Sequence, residues 1–359
     1  MTYHGAAIGA GVDDGRPFRL GFLLHLDRDL APADAYREAV ELFVHAEELG
    51  YDSGWVIQRH FRQGKEHISS PLVTLAAIAQ HTTRIRLGTG VLVLPLEDPL
   101  RVAEDVATLD AISGGRVELG VGSGPFPQAW EAFGKPLGDR HRLFDESVAR
   151  LHEVLDGSAL NSAGEVLHPP GAGVRSRLWQ ATTSDPAVAG DAVRAVARSG
   201  DGLQLSRATA WRGGTARQAR ERQGELVAKY RSAWTDPVHA PRIQVSRAVY
   251  PHEDRAEALR LVSPGVRRWQ SWSTTGEARP EQTVEEYLAS DRALIGPSDV
   301  LAAELAEDPA LREISDLLVS FVPGVPEPAE HRRLLETTAR ELAPALGWYP
   351  ATAGQPIRL

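Results

Sequence analysis

Short apolar runs alternate along this chain with longer amphipathic stretches. The runs are Arg19–Leu26, Ser53–Ile57, Arg86–Leu94, Arg116–Val121, Leu178–Ala181, Gly202–Ser206, Arg242–Val249 and Asp316–Val322. Most are too short for a helix and lack regular polar alternation, the pattern of strands buried on both faces. Between them the period changes to three and four. Asp34–Leu49 places Ala35, Ala39, Leu42, Phe43, Ala46 and Leu49 on one helical face, and Gly50 follows as a stop. Pro71–His81 opens on Ser70 as cap with Pro71 at the first helical position. Further helices are predicted over Arg101–Ile112, Arg140–Leu155, Ala187–Ser199, Ala216–Trp234, Arg255–Val262 and His331–Leu346.

Eight strands, most followed by a helix, predict an α/β fold: a (β/α)8 TIM-like barrel with loop insertions, with a doubly wound open sheet as the alternative. Residues 19–350 read as one domain. Met1–Phe18, rich in Gly, Ala and polar residues, reads as a disordered lead-in, and Gly157–Ser176 as a long loop. Residues 264–297, carrying Trp269, Trp272 and Tyr287, read as an insertion able to act as a lid.

Composition narrows the chemistry. The 359 residues include no Cys, so disulfides, thiolate nucleophiles and cysteine-bound metals are excluded. A formal charge of −9 argues against nucleic acid as a main partner. Neither a signal-peptide run nor a membrane-length apolar segment occurs, which predicts a cytoplasmic protein away from the membrane. The twelve histidines show no His-x-x-x-His spacing, and no metal site is expected.

In a barrel the functional groups lie where strands end. That rule selects His25, the cluster Gln58-Arg59-His60-Phe61, Gly90-Val91, Gly120–Gly124, Gln180–Ser184, Ser206-Arg207 and Arg247. A histidine at His60 can hold or pass a proton near neutral pH, or simply bond to a loop backbone. Glycine inside the strand at Gly88 and Gly90 marks either a bulge or a ligand approaching the backbone. Gly120-Val-Gly-Ser-Gly124 lacks the spacing of a dinucleotide fold and the Lys-Ser/Thr of a phosphate loop. It suits a flat ligand against bare backbone, through Gly122 and Ser123. Thr182, Thr183 and Ser184 precede a helix, where hydroxyls and N–H groups either bind an anion or cap the helix. His25, Arg207 and Arg247 are candidate substrate contacts.

Several of these segments, in order, resemble the bacterial luciferase-like flavin monooxygenases of the FMN-dependent type. They are Trp55–Phe61 (WVIQRHF), Ser70–Val73, Thr83–Pro95 (TRIRLGTGVLVLP), Pro99–Asp105, Leu109–Arg116 and Gly120–Gly124, then Leu178–Thr182, Gly200–Leu203, Asp254–Ala258 and Ala343–Trp348. The resemblance implies a barrel that takes reduced FMN from a separate NAD(P)H:flavin reductase. With O2 it would form a flavin C4a-peroxide and oxygenate a small organic substrate. It also suggests a homodimer.

By position, the resemblance puts Gly90 and Val91 behind the flavin ring, where relatives often have a non-prolyl cis peptide. It brings Thr182, Thr183 and Ser184 to the phosphate, and Trp179 and Gln180 near the flavin. Two places depart from the luciferases proper. Arg59 stands where they carry the first of two histidines, leaving His60 as the second, and Ser123 replaces a phosphate-binding arginine. A guanidinium can stabilise an anion or bind an acidic substrate, but it cannot shuttle protons near neutrality. The departures keep two alternatives open: hydride transfer with the deazaflavin F420 in the same superfamily, and a flavin-binding barrel without catalysis.

Overall fold

A computed structural model describes residues 8–12, 14–27, 30–61, 66–182, 186–207, 215–270, 282–321 and 324–351. The strands are β1 (Arg19–Leu24), β2 (Ser53–Val56), β3 (Arg86–Thr89) continued by β4 (Leu92–Val93), β5 (Val117–Gly122), β6 (Leu178–Ala181), β7 (Gly202–Leu205), β8 (Ile243–Pro251), a short β9 (Leu294–Gly296) and β10 (Asp316–Ser320). All pairings are parallel. Leu318 of β10 lies opposite Gly21 of β1 on one side and Ser246 of β8 on the other, which closes the sheet into a barrel of eight strand positions. The closure rules out the open sheet, and β9 only extends the far end of β8.

Around the barrel lie α1 (Pro32–Glu48), α2 (Pro71–Ala79), α3 (Pro99–Ser113), α4 (Pro127–Ala132), α5 (Arg140–Leu155), α6 (Ala172–Arg175), α7 (Pro186–Arg198), α8 (Ala216–Ala233), α9 (Arg255–Gln270), α10 (Val284–Asp291), α11 (Ser298–Ala306) and α12 (Pro328–Thr337). The stripe predicted for α1 is the buried one, from Ala35 through Ala46. In α3, the Asp98 carboxylate accepts from the Leu100 and Arg101 amides and Pro99 takes the first position. Gly114 ends that helix at a φ of 71°. No helix among the described residues is long and apolar enough to cross a membrane.

One sequence expectation needs correction and one a change of boundary. The chain from Ile8 to Phe18 is not a disordered lead-in over its described residues. Ile8, Arg16 and Phe18 are buried, and the Gly9 and Ala10 amides bond to the Leu311 and Ile314 carbonyls at 2.9 Å. Arg16 donates to both Asp52 carboxylate oxygens at 2.7 and 3.0 Å, so the segment straps the N-terminal end of the barrel. Residues 264–297 do precede the last barrel strand as expected, but their described part begins inside a helix rather than as a separate insertion. α9 runs through Pro264 to Gln270 because its far half buries Val266 and Trp269, and α10 and β9 follow. Trp272 falls outside the described residues.

Inside the barrel, alternate residues stack in layers. At the N-terminal end Arg19 pairs with Asp316 at 2.9 Å and Arg86 with Glu118. Burial alone would raise the Glu118 carboxyl, but Arg86 and Arg19 outweigh it and hold it below the usual carboxylate range. Above them Trp55 and Trp179 meet edge to face, ring centres 5.9 Å apart, beside Leu318 and Leu23. The indoles fit because glycines face them: a Cβ on Gly88 would fall 2.1 Å from Trp55, and one on Gly202 2.2 Å from Trp179. This layer floors the C-terminal mouth.

Candidate active site

Parallel strands bring all their C-terminal ends to one rim, so residues far apart in sequence meet there. Gly90 sits just above the floor, its Cβ direction meeting Leu23 at 3.0 Å and Trp55 at 3.8 Å. The Gly90–Val91 peptide is cis, breaking the third strand between β3 and β4. Gly122 at the end of β5 faces the same space: a Cβ there would lie 2.6 Å from Val91 Cγ2 and 3.5 Å from the Ala181 Cβ. Two strands therefore present glycines to one wall, with Ala181 of β6 beside them. Ser123 follows on the rim, partly exposed. Thr182 leaves β6 beside it, and its Oγ1 is buried with no hydrogen-bond partner among the described residues. Thr183 and Ser184 lie outside the described residues.

The opposite wall is charged. After β1, His25 Nδ1 lies 3.3 Å from Glu66 Oε2, while the other Glu66 oxygen accepts from the Leu26 amide at 2.6 Å. The His25 ring packs on Trp269 of α9, 5.7 Å between centres. Trp269 Nε1 and Arg268 both donate to Asp27, which also accepts from the Val325 amide at 3.0 Å. Burial raises the Asp27 carboxyl, opposed by Arg268. The end of α9 is thus tied across the mouth. Arg207, after β7, lies over the Trp269 ring at 5.9 Å and donates to the Asp291 carboxylate at 2.5 Å. Its own amide donates to Ser246 Oγ at 2.9 Å.

Arg59 and His60 follow β2. The Arg59 guanidinium lies 4.5 Å from the centre of the Phe126 ring, and Nη1 donates to the Gln58 carbonyl at 3.1 Å. Burial lowers its pKa; Glu66 opposes that and Arg207 adds to it, so all three groups share one electrostatic neighbourhood. His60 turns to the rim, edge-on to Phe133 at 4.9 Å and beside Phe61. Its Nε2 is buried without a partner among the described residues, and burial depresses its pKa against the pull of Glu97. The neighbouring Gln58 is structural: its Oε1 accepts from the Val93 amide at 2.6 Å and its Nε2 donates to Glu97 and the Ser69 carbonyl.

The structure brings together His25, Arg59, His60, Gly90, Val91, Gly122, Ser123, Thr182 and Arg207 at the rim, but not Trp179, Gln180 or Arg247. The Trp179 ring lies in the floor, 1% exposed, with Nε1 donating to Glu118 at 2.6 Å. Gln180, one residue on, points to the helix side and donates to Asp201 at 2.6 Å. Arg247 also faces outward and is held by the fully buried Asp308, with Nε and Nη2 both 2.8 Å from Oδ2. Gln180 and Arg247 follow from the two-residue period of a strand, which puts neighbours on opposite faces, whereas Trp179 faces inward but one layer below the rim. Sequence reasoning missed Asp27, Glu66 and Phe126, and named Trp269 only as part of the 264–297 insertion. Glu66 stands in the polar run Arg62–His67, which reads as a solvated loop; only burial of Glu66 distinguishes it.

The sequence pattern of luciferase-like monooxygenases matches residues 19–342. The 4-hydroxyprotoasukamycin monooxygenase of Streptomyces nodosus subsp. asukaensis is 40% identical over 118 residues, 33% of this chain and 32% of that protein. The alignment therefore spans about a third of that relative. Among solved structures, monooxygenase RslO1 from Streptomyces bottropensis superposes with a TM-score of 0.74 at 24% identity, covering 91% of this chain and 99% of the other. The oxygenating constituent of 3,6-diketocamphane monooxygenase from Pseudomonas putida, in complex with FMN, gives 0.70 at 20% identity, covering 93% and 99%. At these identities the two structures speak for the fold.

Proposed function

The chain belongs to the luciferase-like monooxygenase family, and on that footing we propose that it is a two-component flavin monooxygenase acting on a small organic substrate at the barrel mouth. Its cofactor would be reduced FMN from a separate NAD(P)H:flavin reductase, its co-substrate O2. The observation that carries the reading is the glycine wall with an orphan hydroxyl beside it. Gly90 and Gly122 bring no side chain of their own to this wall, only Leu23 and Val91 standing against them, which favours the approach of a flat ring system, and Thr182 Oγ1, without a partner among the described residues, could bond to a phosphate oxygen. In this reading Thr182, with Ser123 and the next hydroxyls Thr183 and Ser184, holds the phosphate. When bound and reduced, FMN supplies the electrons that activate O2 for insertion of one oxygen atom.

The protein's own groups do the rest. Trp269 and Arg268, tied to Asp27, keep α9 across the mouth and restrict water. His60 is neutral at neutral pH because burial depresses its pKa, so Nε2 is available to hold or accept a proton. Arg59 contributes a fixed positive charge and no proton transfer. The reading includes a cytoplasmic location beside the reductase. It also includes a homodimer, for which Val73 on α2 and Ile112 on α3, 69% and 51% exposed, offer apolar contact.

The test is titration of the purified protein with FMN, reduced FMN and F420, followed by mixing the reduced complex with O2. Tight FMN binding and protein-dependent O2 consumption are the expected results. Preference for F420 without O2 consumption would move the protein to hydride transfer, and binding of neither would end the flavin reading. Arg59→Ala and His60→Ala should impair turnover more than FMN binding, whereas Thr183→Ala with Ser184→Ala should weaken FMN binding first.

A further inference from the structure

We infer that the mouth selects a substrate bearing a carboxylate, gripped by the Arg59 guanidinium with the apolar body of the molecule beside Phe126. The inference rests on reading the mouth as the substrate site.

Most cations around the mouth are already paired. Arg207 has Asp291, Arg268 has Asp27, and Arg247, outside the barrel, has Asp308. Among the described residues Arg59 has no carboxylate within ion-pair distance and uses one of its five N–H donors, on the Gln58 carbonyl. Glu66, the carboxylate that bears on it electrostatically, already accepts from the Leu26 amide and faces His25. Arg207 adds like charge nearby. A partly buried guanidinium left this way is short of a partner, and a carboxylate would satisfy it with two parallel charge-assisted bonds.

Geometry narrows the class further. A guanidinium lying on an aromatic ring has its face occupied, so its N–H edge is what remains to offer. That edge suits a planar, two-oxygen anion better than a point charge does. The ring beneath, Phe126, and the aromatic group of His60, Phe61 and Phe133 along the same rim give an apolar surface for the rest of the ligand.

Calorimetric titration of the full-length protein with benzoate and with benzamide, its uncharged counterpart of the same shape, tests this. FMN is titrated in parallel. Wild type should bind benzoate at least about tenfold more tightly than benzamide, or about 1.4 kcal/mol. Arg59→Gln should abolish that preference, and Arg59→Lys should keep only part of it, because an ammonium lacks the fork. FMN affinity should stay within about twofold in both variants, a margin well under the tenfold step sought. Equal binding of the two probes, no benzoate binding, or a preference that survives Arg59→Gln would overturn the inference. So would FMN affinity falling in step with benzoate affinity, since Arg59 would then serve the cofactor's phosphate. If wild type binds FMN but shows no benzoate preference, the flavin reading stands and this one fails. If wild type does not bind FMN, the failure belongs to the flavin reading. The wild-type probe pair gives its answer even if a variant does not fold.

Discussion

Replacing Gly202 by alanine probes the layer on which the mouth is built. The new methyl group would fall 2.2, 2.5 and 2.8 Å from Cε3, Cδ2 and Cζ3 of Trp179, about 1.2 Å inside ordinary contact at the nearest atom. The indole has no easy way to yield. Its Nε1 is held by Glu118, its face by Arg242 at 4.9 Å, and it meets Trp55 edge to face, while Trp55 is wedged over Gly88. Overpacking of this kind costs about 1–3 kcal/mol. The control is Gly190→Ala in α7, where the nearest atom to the added Cβ is the flexible Lys229 Nζ at 3.4 Å. In a helix interior that change should stabilise by about 0.5–1 kcal/mol. The two variants should differ by about 1.5–4 kcal/mol, or at least about 2 °C in melting midpoint for a domain of this size. Thermal unfolding followed by tryptophan fluorescence and circular dichroism reads the difference. If Gly202→Ala melts at or above Gly190→Ala, the indole is not seated on the glycine and the layer argument fails. Adding Trp179→Leu should remove most of the Gly202→Ala penalty, because the two changes share one contact.

Other consequences follow from the site. Gly122→Ala drives a methyl into Val91, which is partly exposed and can turn into the mouth. The fold should survive while FMN affinity, read by fluorescence titration, drops at least about tenfold. Thr182→Val should also weaken FMN, with no loss of unliganded stability because the hydroxyl has no partner among the described residues. Arg247→Met strips Asp308 of its main partner and should cost about 3–5 kcal/mol in urea unfolding while sparing FMN affinity; weaker FMN binding at unchanged stability would return Arg247 to the site. Burial holds the His60 pKa below its unfolded value of about 6.5. Between the two values the unfolded chain binds the extra proton, so stability is complete above about pH 6.5 and declines as pH falls toward the folded value. His60→Gln should flatten that decline between about pH 7 and 5, and parallel melting curves would refute the assignment.

Much of the barrel was legible because its determinants are local or periodic. Eight apolar runs and the intervening three-and-four periodicity predict every barrel strand and most of the outer helices. The third helix stops where Gly114 ends it, though it begins at Pro99, two residues before the predicted Arg101. What failed shares a different cause. The segment before Phe18 reads as disordered because its binding partners, Asp52, Leu311 and Ile314, are distant in sequence. α9 passes Pro264 because burying Trp269 at the barrel mouth outweighs the local cost of proline in a helix.

The amino-acid sequence by itself determined the strand–helix order, the family, and the set of strand ends from which a site is built. Only the tertiary structure decided which residues at those ends share a space. A strand turns alternate side chains to opposite faces, so the same run offers Ala181 to the mouth and Gln180 to the helices, and no local pattern says which. Closure of the barrel then brings Arg207 into the electrostatic neighbourhood of Arg59 and Glu66, and sets Trp269 against Arg207 and His25. Charge and burial at that point are sums over elements up to some two hundred residues apart in the chain, and such sums exist only once the sheet has closed.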